Sequence, residues 1–165
     1  TGRDRLNLAV GRVLRSIETL VIDEVSMVNA DLMDAIDRTL REARGHRPEP
    51  FGGVQVVLFG DPYQLAPVPP RDAHERAYFA DRYRSPWFFD AHVWERAPLE
   101  THVLEEIHRQ TDPEFTRILN AVRFDEVTAE MAEVLNEVGA RPVPPGEEAI
   151  TLATTNGVSP VTTRT

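Results

Sequence analysis

Apolar residues recur every three or four positions at the start of the chain. Leu6, Val10, Val13, Leu14 and Ile17 fall on one side of a helical repeat and predict a helix or helical turn within residues 5–18. The period then changes. Thr19–Ile22 (TLVI) is a short apolar, β-branched run ending in Asp23 and Glu24, the pattern of a buried strand with acids at its C-terminal end. Asn29 is positioned as the N-cap of a helix whose apolar side is Leu32, Met33, Ile36 and Leu40, and Gly45 stops it. His46–Gly53 reads as a loop from its proline and glycine content. Val54–Phe59 (VQVVLF) is a second buried strand, closed by Gly60-Asp61-Pro62.

The prolines of Pro67–Asp72 exclude helix interior or central strand there. Beyond them the pattern is mainly helical. Ser85-Pro86 predicts a helix start, with Trp87, Phe88, Ala91 and Trp94 on its apolar side. Glu100–Glu105 (ETHVLE) reads as a strand candidate. Asp112-Pro113 starts a helix carrying Phe115, Ile118, Leu119 and Val122 on one side. Thr128 caps another, with Met131, Val134, Leu135 and Val138, ending at Gly139. Arg141–Glu148 is a proline-rich loop, and Ala149–Thr154 is a further predicted strand. Strands ending in acids and alternating with helices predict an α/β fold with a parallel sheet.

Composition narrows the function classes. The 165 residues suit one domain, or one domain and a piece of another. No apolar run approaches the ~20 residues that span a bilayer, which argues against a membrane partner. The first residues carry no signal-peptide core, so a cytoplasmic location is expected. With no cysteine there is no disulfide framework, thiolate metal site or cysteine nucleophile. The net charge of −9 argues against a generic phosphate-coating protein, although a local groove can still be basic. All 18 basic residues are arginine. A phosphate-binding loop of the G-x-x-x-x-G-K-[ST] kind needs its lysine, so these residues contain none, and lysine Schiff-base chemistry is excluded too.

Three segments carry candidate chemistry. In Leu20–Glu24 a hydrophobic strand delivers two adjacent carboxylates to the crevice where open parallel sheets bind ligands. Successive strand residues point to opposite sides, so one acid can hold Mg²⁺ while the other deprotonates an attacking water. A solvated pair of acids before a turn is the alternative, weakened by the apolar run before it. Gly60–Leu65 (GDPYQL) follows the second strand; its glycine permits close backbone approach to a ligand, and Gln64 can both donate to and accept from a phosphate or its water. Taken alone, this is an ordinary Asp-Pro turn with an exposed glutamine. Two buried strands ending in polar chemistry, about forty residues apart, instead suggest neighbouring strands of one nucleotide site. In Glu106–Gln110 (EIHRQ), Arg109 is either a phosphate-reaching arginine finger or a salt-bridge partner of Glu105 or Glu106, and the residues alone leave both open.

Other candidates favour structural roles. Asp31, Asp34 and Asp37 suggest a metal face but more often mark a solvated helix surface. Trp87, Phe88 and Trp94 could stack on bases, yet at helical spacing they read as core. Ser26 has no histidine nearby to form a hydrolase triad, and His108 has no second ligand at zinc spacing.

Together, LVIDEVSMV (20–28), GDPYQLAPV (60–68) and EIHRQTDPEFTRILNAVR (106–123) resemble the Walker B, GDxxQL and RQ motifs of Pif-type DNA helicases, in the RecD-like, 5′-to-3′ branch of superfamily one. SPWFFDAHVW (85–94) and ITLATTN (150–156) are similar as well, so the likeness spans residues 14–156. Ala66 replaces a commoner proline and His108 a usual aromatic. The resemblance implies a RecA-like P-loop NTPase core, a three-layer α/β/α arrangement present in part. Residues 1–98 would be the back half of the first motor domain and 99–165 the start of the second.

It further implies that Asp23 holds the magnesium of bound ATP, Glu24 is the catalytic base and Gln64 senses the γ-phosphate. Asp61 would shape the same loop, Arg109 would approach the γ-phosphate from the second motor domain, and Gln110 would support it. The implied activity is ATP-dependent translocation on single-stranded DNA and unwinding of forked duplex DNA. The phosphate-binding loop is then expected upstream of Thr1, so the rest of the helicase chain is required for the ATP site and the 165 residues alone are expected to be inactive. Alternatives are a RecD-like motor subunit of an exonuclease complex, an RNA helicase, and a non-catalytic RecA-like module that binds DNA or protein.

Overall fold

A computed structural model of the chain describes residues 8–68, 70–106, 108 and 110–142. The chain divides into two compact units, Thr1–Glu105 and Glu106–Thr165.

The first unit is built on a strand–helix–strand crossover. Helix α1 (Leu8–Ser16) leads into strand β1 (Thr19–Ile22). A 3₁₀ turn at Val25–Met27 precedes helix α2 (Ala30–Ala43), and the chain returns through a turn at Pro50–Gly53 to strand β2 (Gln55–Leu58). The strands are parallel neighbours, Thr19 opposite Gln55 and Ile22 opposite Leu58. Met33, Leu40, Phe51, Val54, Phe88, Ala91 and Val93 are buried together, and Leu20, Ile22, Val56 and Leu58 pack on them from one face of the sheet. Fully burying a side chain of this size stabilises by roughly 1.5–3 kcal/mol. The opposite face is open among the described residues. Val21 is 57% exposed, and Thr19 donates to the Gln55 amide oxygen there (3.1 Å). The expectation of a strand buried on both faces is corrected for β1: only one layer of described residues covers it.

The aspartates of α2 also depart from expectation. Asp34 and Asp37 are anchors rather than a solvated surface. Asp34 accepts from the backbone N–H groups of His92 (3.2 Å) and Val93 (2.9 Å) and from the Tyr83 hydroxyl (3.1 Å). Asp37 is buried and accepts from Phe51 N–H at 2.7 Å and from the Arg96 guanidinium at 3.1 Å. The same side of the helix continues in Arg41, whose Nε donates to the Arg47 carbonyl, and in Arg44 at the C-cap. Arg44 donates to the carbonyls of Gly52 (3.0 Å), Arg15 (2.9 Å) and Ile17 (3.0 Å), tying the end of α1 to the turn before β2.

Two further expectations are revised, and one helix appears that the sequence pattern did not announce. The predicted helix at Ser85–Trp94 is a 3₁₀ turn at Phe88–Asp90 followed by irregular turns. Trp87 is extended and bridges Asn29, while the Ser85 hydroxyl donates to Asp90 and accepts from Trp87 N–H. These bonds draw Ser85-Pro86 into a turn, although Phe88 and Trp94 still pack edge-to-face in the core. Residues 100–105 form no strand: no described strand accepts their backbone bonds, and Val103 and Leu104 are exposed. Helix α3 (Ala73–Arg82) has no apolar periodicity to announce it, because none of its residues is buried. Asp72 caps it, accepting from His74 and Glu75 N–H, while Glu75 accepts from Arg71 N–H.

The second unit pairs helix α4 (Pro113–Arg123) with helix α5 (Ala129–Gly139) around Ile118, Ala121 and Met131. Their expected caps form: Asp112 accepts from Glu114 and Phe115 N–H, and Thr128 from Met131 N–H. The predicted strand Ala149–Thr154 and most of the proline-rich loop lie outside the described residues. No described helix is long and apolar enough to cross a membrane.

Candidate functional site

The parallel register carries the two polar segments to the same edge of the sheet. Backbone pairing continues past both strands: Phe59 N–H donates to the Ile22 carbonyl and Val25 N–H to the Phe59 carbonyl, each at 2.9 Å. Asp23 and Glu24 are thereby held beside Phe59 and Gly60, with both acids exposed. The Asp23 carboxylate accepts its neighbour Glu24 N–H at 2.8 Å. Glu24 is left-handed (φ 50°, ψ 41°), a backbone state that costs a residue with a side chain about 1–2 kcal/mol. The 3₁₀ turn that follows holds it there through Met27 N–H to the Glu24 carbonyl, 3.0 Å.

After β2 the chain makes a turn organised by Asp61. One of its carboxylate oxygens accepts Tyr63 N–H (3.0 Å), its carbonyl accepts Gln64 N–H (3.0 Å), and its other carboxylate oxygen accepts the Gln64 side-chain amide (3.1 Å). The last bond turns the Gln64 amide nitrogen toward Asp61. Gly60 makes a close approach within the protein itself. It lies against the other loop, where an added Cβ would stand 2.9 Å from Val25 Cγ1, 3.0 Å from Val25 N and 3.2 Å from Ser26 N.

Next along the chain, Ser26 is fully buried, and its hydroxyl and the Asn29 side-chain oxygen have no hydrogen-bond partner among the described residues. Neither the Gly60 contact nor the left-handed Glu24 is visible in sequence spacing, because both depend on the strand register. Chemically, the edge offers oxygen donors suited to a hard cation and a carboxylate able to take a proton from water, beside a neutral amide.

Arg109 lies outside the described residues. Gln110 is described, and its side-chain oxygen accepts Thr111 and Asp112 N–H at 3.0 and 3.1 Å, which orders the start of α4. The exposed His108 lies 3.7 Å from Glu106.

Residues 5–140 match the family of PIF1-like helicases. The chain is 36% identical over 124 residues to the ATP-dependent DNA helicase RRM3 of Saccharomyces cerevisiae, covering 75% of this chain and 16% of that protein. It is 37% identical over 135 residues to the ATP-dependent DNA helicase PIF1 of Emericella nidulans, covering 82% and 16%. The chain therefore spans about a sixth of the length of these relatives. Among solved structures, the Pif1 helicase from Bacteroides in complex with ADP-AlF3 and single-stranded DNA superposes with a TM-score of 0.79 at 39% identity, covering 87% of this chain and 33% of that one. The Candida albicans Pif1 helicase gives a TM-score of 0.71 at 29% identity, covering 86% and 29%. The parallel strands and their crossover helix are thus part of a RecA-like α/β core, and with the family match extending over most of its length, the chain belongs to the PIF1-like helicases.

Proposed function

We propose that this chain is part of an ATP-dependent DNA helicase, coupling Mg-ATP hydrolysis to movement along single-stranded DNA and to unwinding of forked duplexes, 5′ to 3′. One observation carries the reading: adjacent parallel strands bring Asp23-Glu24 and the Asp61–Gln64 turn to a single sheet edge, joined by backbone bonds at Phe59. Relatives named as ATP-dependent DNA helicases, and a neighbour solved with ADP-AlF3 and single-stranded DNA, support both nucleotide and partner.

The donor set fits magnesium. The Asp23 carboxylate keeps an oxygen beyond the one bonded to Glu24 N–H, and exposed carboxylate oxygen is the ligand type this ion takes. Bound with ATP, the ion supplies charge neutralisation at the phosphate oxygens. Asp23 holds it, directly or through water. Glu24 accepts the proton of the attacking water. Gln64, released from Asp61 or sharing its amide, reads the terminal phosphate, and Arg109 approaches that phosphate as a charge stabiliser. Because the 165 residues contain no lysine, a lysine-bearing phosphate loop is supplied by other parts of the full-length protein.

The test is ATP hydrolysis by the full-length protein with and without single-stranded DNA, beside its Glu24→Gln variant. Strong DNA stimulation that the substitution abolishes is the expected result. Undiminished hydrolysis by Glu24→Gln would remove the base assignment, and no hydrolysis by the folded protein would favour a non-catalytic module.

A further inference from the structure

The two loops of the proposed ATP site meet at a contact that only glycine permits. Gly60 has no positive φ to satisfy, so the constraint is space rather than backbone conformation. A Cβ there would press on Val25 Cγ1 at 2.9 Å and on two main-chain nitrogens, Val25 N and Ser26 N. Real Cβ atoms essentially never approach within 3.0 Å of such neighbours, so something would have to shift. The Val25–Ser26 segment has little room to retreat. Val25 and Ser26 are both buried, Val25 N–H is bonded to the Phe59 carbonyl, and the Val28 N–H to Val25 carbonyl bond closes the same turn. That turn also holds Glu24 left-handed. On the other side, Gly60 is joined directly to Asp61, whose carboxylate fixes Gln64.

We propose that Gly60 is a positioning residue. Its bare α-carbon seats the Asp61–Gln64 turn against the backbone of Val25 and Ser26, so that Glu24 and Gln64 are carried on one rigid piece and respond together to the nucleotide. The inference rests on the roles given above to Glu24 and Gln64. Neither Gly60 nor Val25 touches substrate in this scheme. Adding a methyl group at Gly60 separates the two loops by a fraction of an ångström and misaligns the base from the sensor. The nucleotide's remaining contacts are unaffected. Removing Val25 Cγ1 relieves the closest of the three contacts and leaves the two main-chain nitrogens in place, so it lets the loops reseat only in part.

The experiment compares steady-state ATP hydrolysis by the full-length protein and its Gly60→Ala, Val25→Ala, Gly60→Ala/Val25→Ala and Glu24→Gln variants, each checked for folding by its melting curve. Gly60→Ala should lower kcat on the order of 10- to 100-fold while leaving KM for ATP within about 3-fold. The double variant should recover part of that loss, and Val25→Ala alone should stay near the parent rate. A Gly139→Ala control adds a methyl group where nothing lies within 4 Å and should change nothing. Unchanged kcat in Gly60→Ala, a loss confined to KM, or a loss that Val25→Ala does not relieve would each overturn the proposal. If Gly60→Ala does not fold, the double variant decides: active protein supports the contact, and unfolded or inactive protein overturns it. Full activity in Glu24→Gln would instead show that the base assignment had failed, and this proposal with it.

Discussion

Replacing Asp37 by alanine removes three interactions at once, and the structure sets their relative weight. The largest is the bond from Phe51 N–H, 2.7 Å long and buried, at a residue held left-handed with φ 53°. Without the carboxylate this donor is stranded away from water, a loss of about 1–3 kcal/mol. The ion pairs weigh less. Asp37 is 5% exposed at its side chain, but Arg96 at 3.1 Å and Arg41 at 3.6 Å are 46% and 33% exposed, so both guanidinium groups can turn back into solvent. Each pair contributes on the order of 0.2–1 kcal/mol. The total is about 1.4–5 kcal/mol, a large share of a typical 5–15 kcal/mol stability. Asp37→Asn keeps an acceptor for Phe51 N–H and should lose only about 1 kcal/mol. The assay is urea unfolding followed by tryptophan fluorescence, since Trp87 and Trp94, the chain's two tryptophans, both pack on this core. With a urea slope of roughly 1–3 kcal/mol/M, the alanine midpoint should fall by about 1–2 M. A fall under about 0.3 M would refute the assignment of Asp37 as an anchor.

Ser26→Ala deletes a buried hydroxyl that has no partner among the described residues, so stability should hold or rise by up to about 1 kcal/mol in the same urea titration; a loss of about 1 kcal/mol or more would mean the hydroxyl has a partner. Gly52→Ala places a Cβ 2.9 Å from the Leu40 carbonyl oxygen at φ +64°, and the midpoint should drop by the equivalent of more than about 1 kcal/mol; a neutral result would show that the turn relaxes freely. Burial and the Asp34 carboxylate push the Tyr83 phenol well above its ordinary range, so it stays protonated in the fold where an unfolded tyrosine ionises. Stability should therefore decline as pH rises above about 10, and Tyr83→Phe should flatten that part of the decline. Identical alkaline profiles for the two proteins would count against the Tyr83–Asp34 bond.

The sequence was most informative where apolar spacing had a partner surface to serve. β1, α2, β2, α4 and α5 all bury a side or face, so Leu20 and Ile22, Met33 and Leu40, Ile118 and Met131 mark them in advance. Helix α3 buries nothing and left no such trace; its one readable sign is the capping arrangement of Asp72 with Glu75 three residues on. At Ser85-Pro86 the same residues suit a helix start and a turn, and pairing of Trp87 with Asn29, distant in sequence, decides for the turn. The anchoring roles of Asp34 and Asp37 are hidden for a related reason: their partners at residues 92–93, 51 and 96 are far along the chain. Of the site, Asp23, Glu24 and Gln64 could be found as polar residues ending apolar strands. The seating of Gly60 on Val25 depends on strand register and could not.

Helix α2 carries a second stripe beside its apolar one. Asp34, Asp37, Arg41 and Arg44 follow one another at intervals of three, four and three residues, the spacing of a single helical face. The acids come first and accept backbone N–H groups; the arginines come last and donate to backbone carbonyls. The arginines also stand at the C-terminal end of the helix, where its field favours positive charge. The consequence is a particular pattern of mutational tolerance. In a library of substitutions across α2, these four charged positions should be as intolerant as Met33 and Leu40, with reversals of sign worst of all. A rule that ranks sites by hydrophobicity would class the same four residues as freely replaceable.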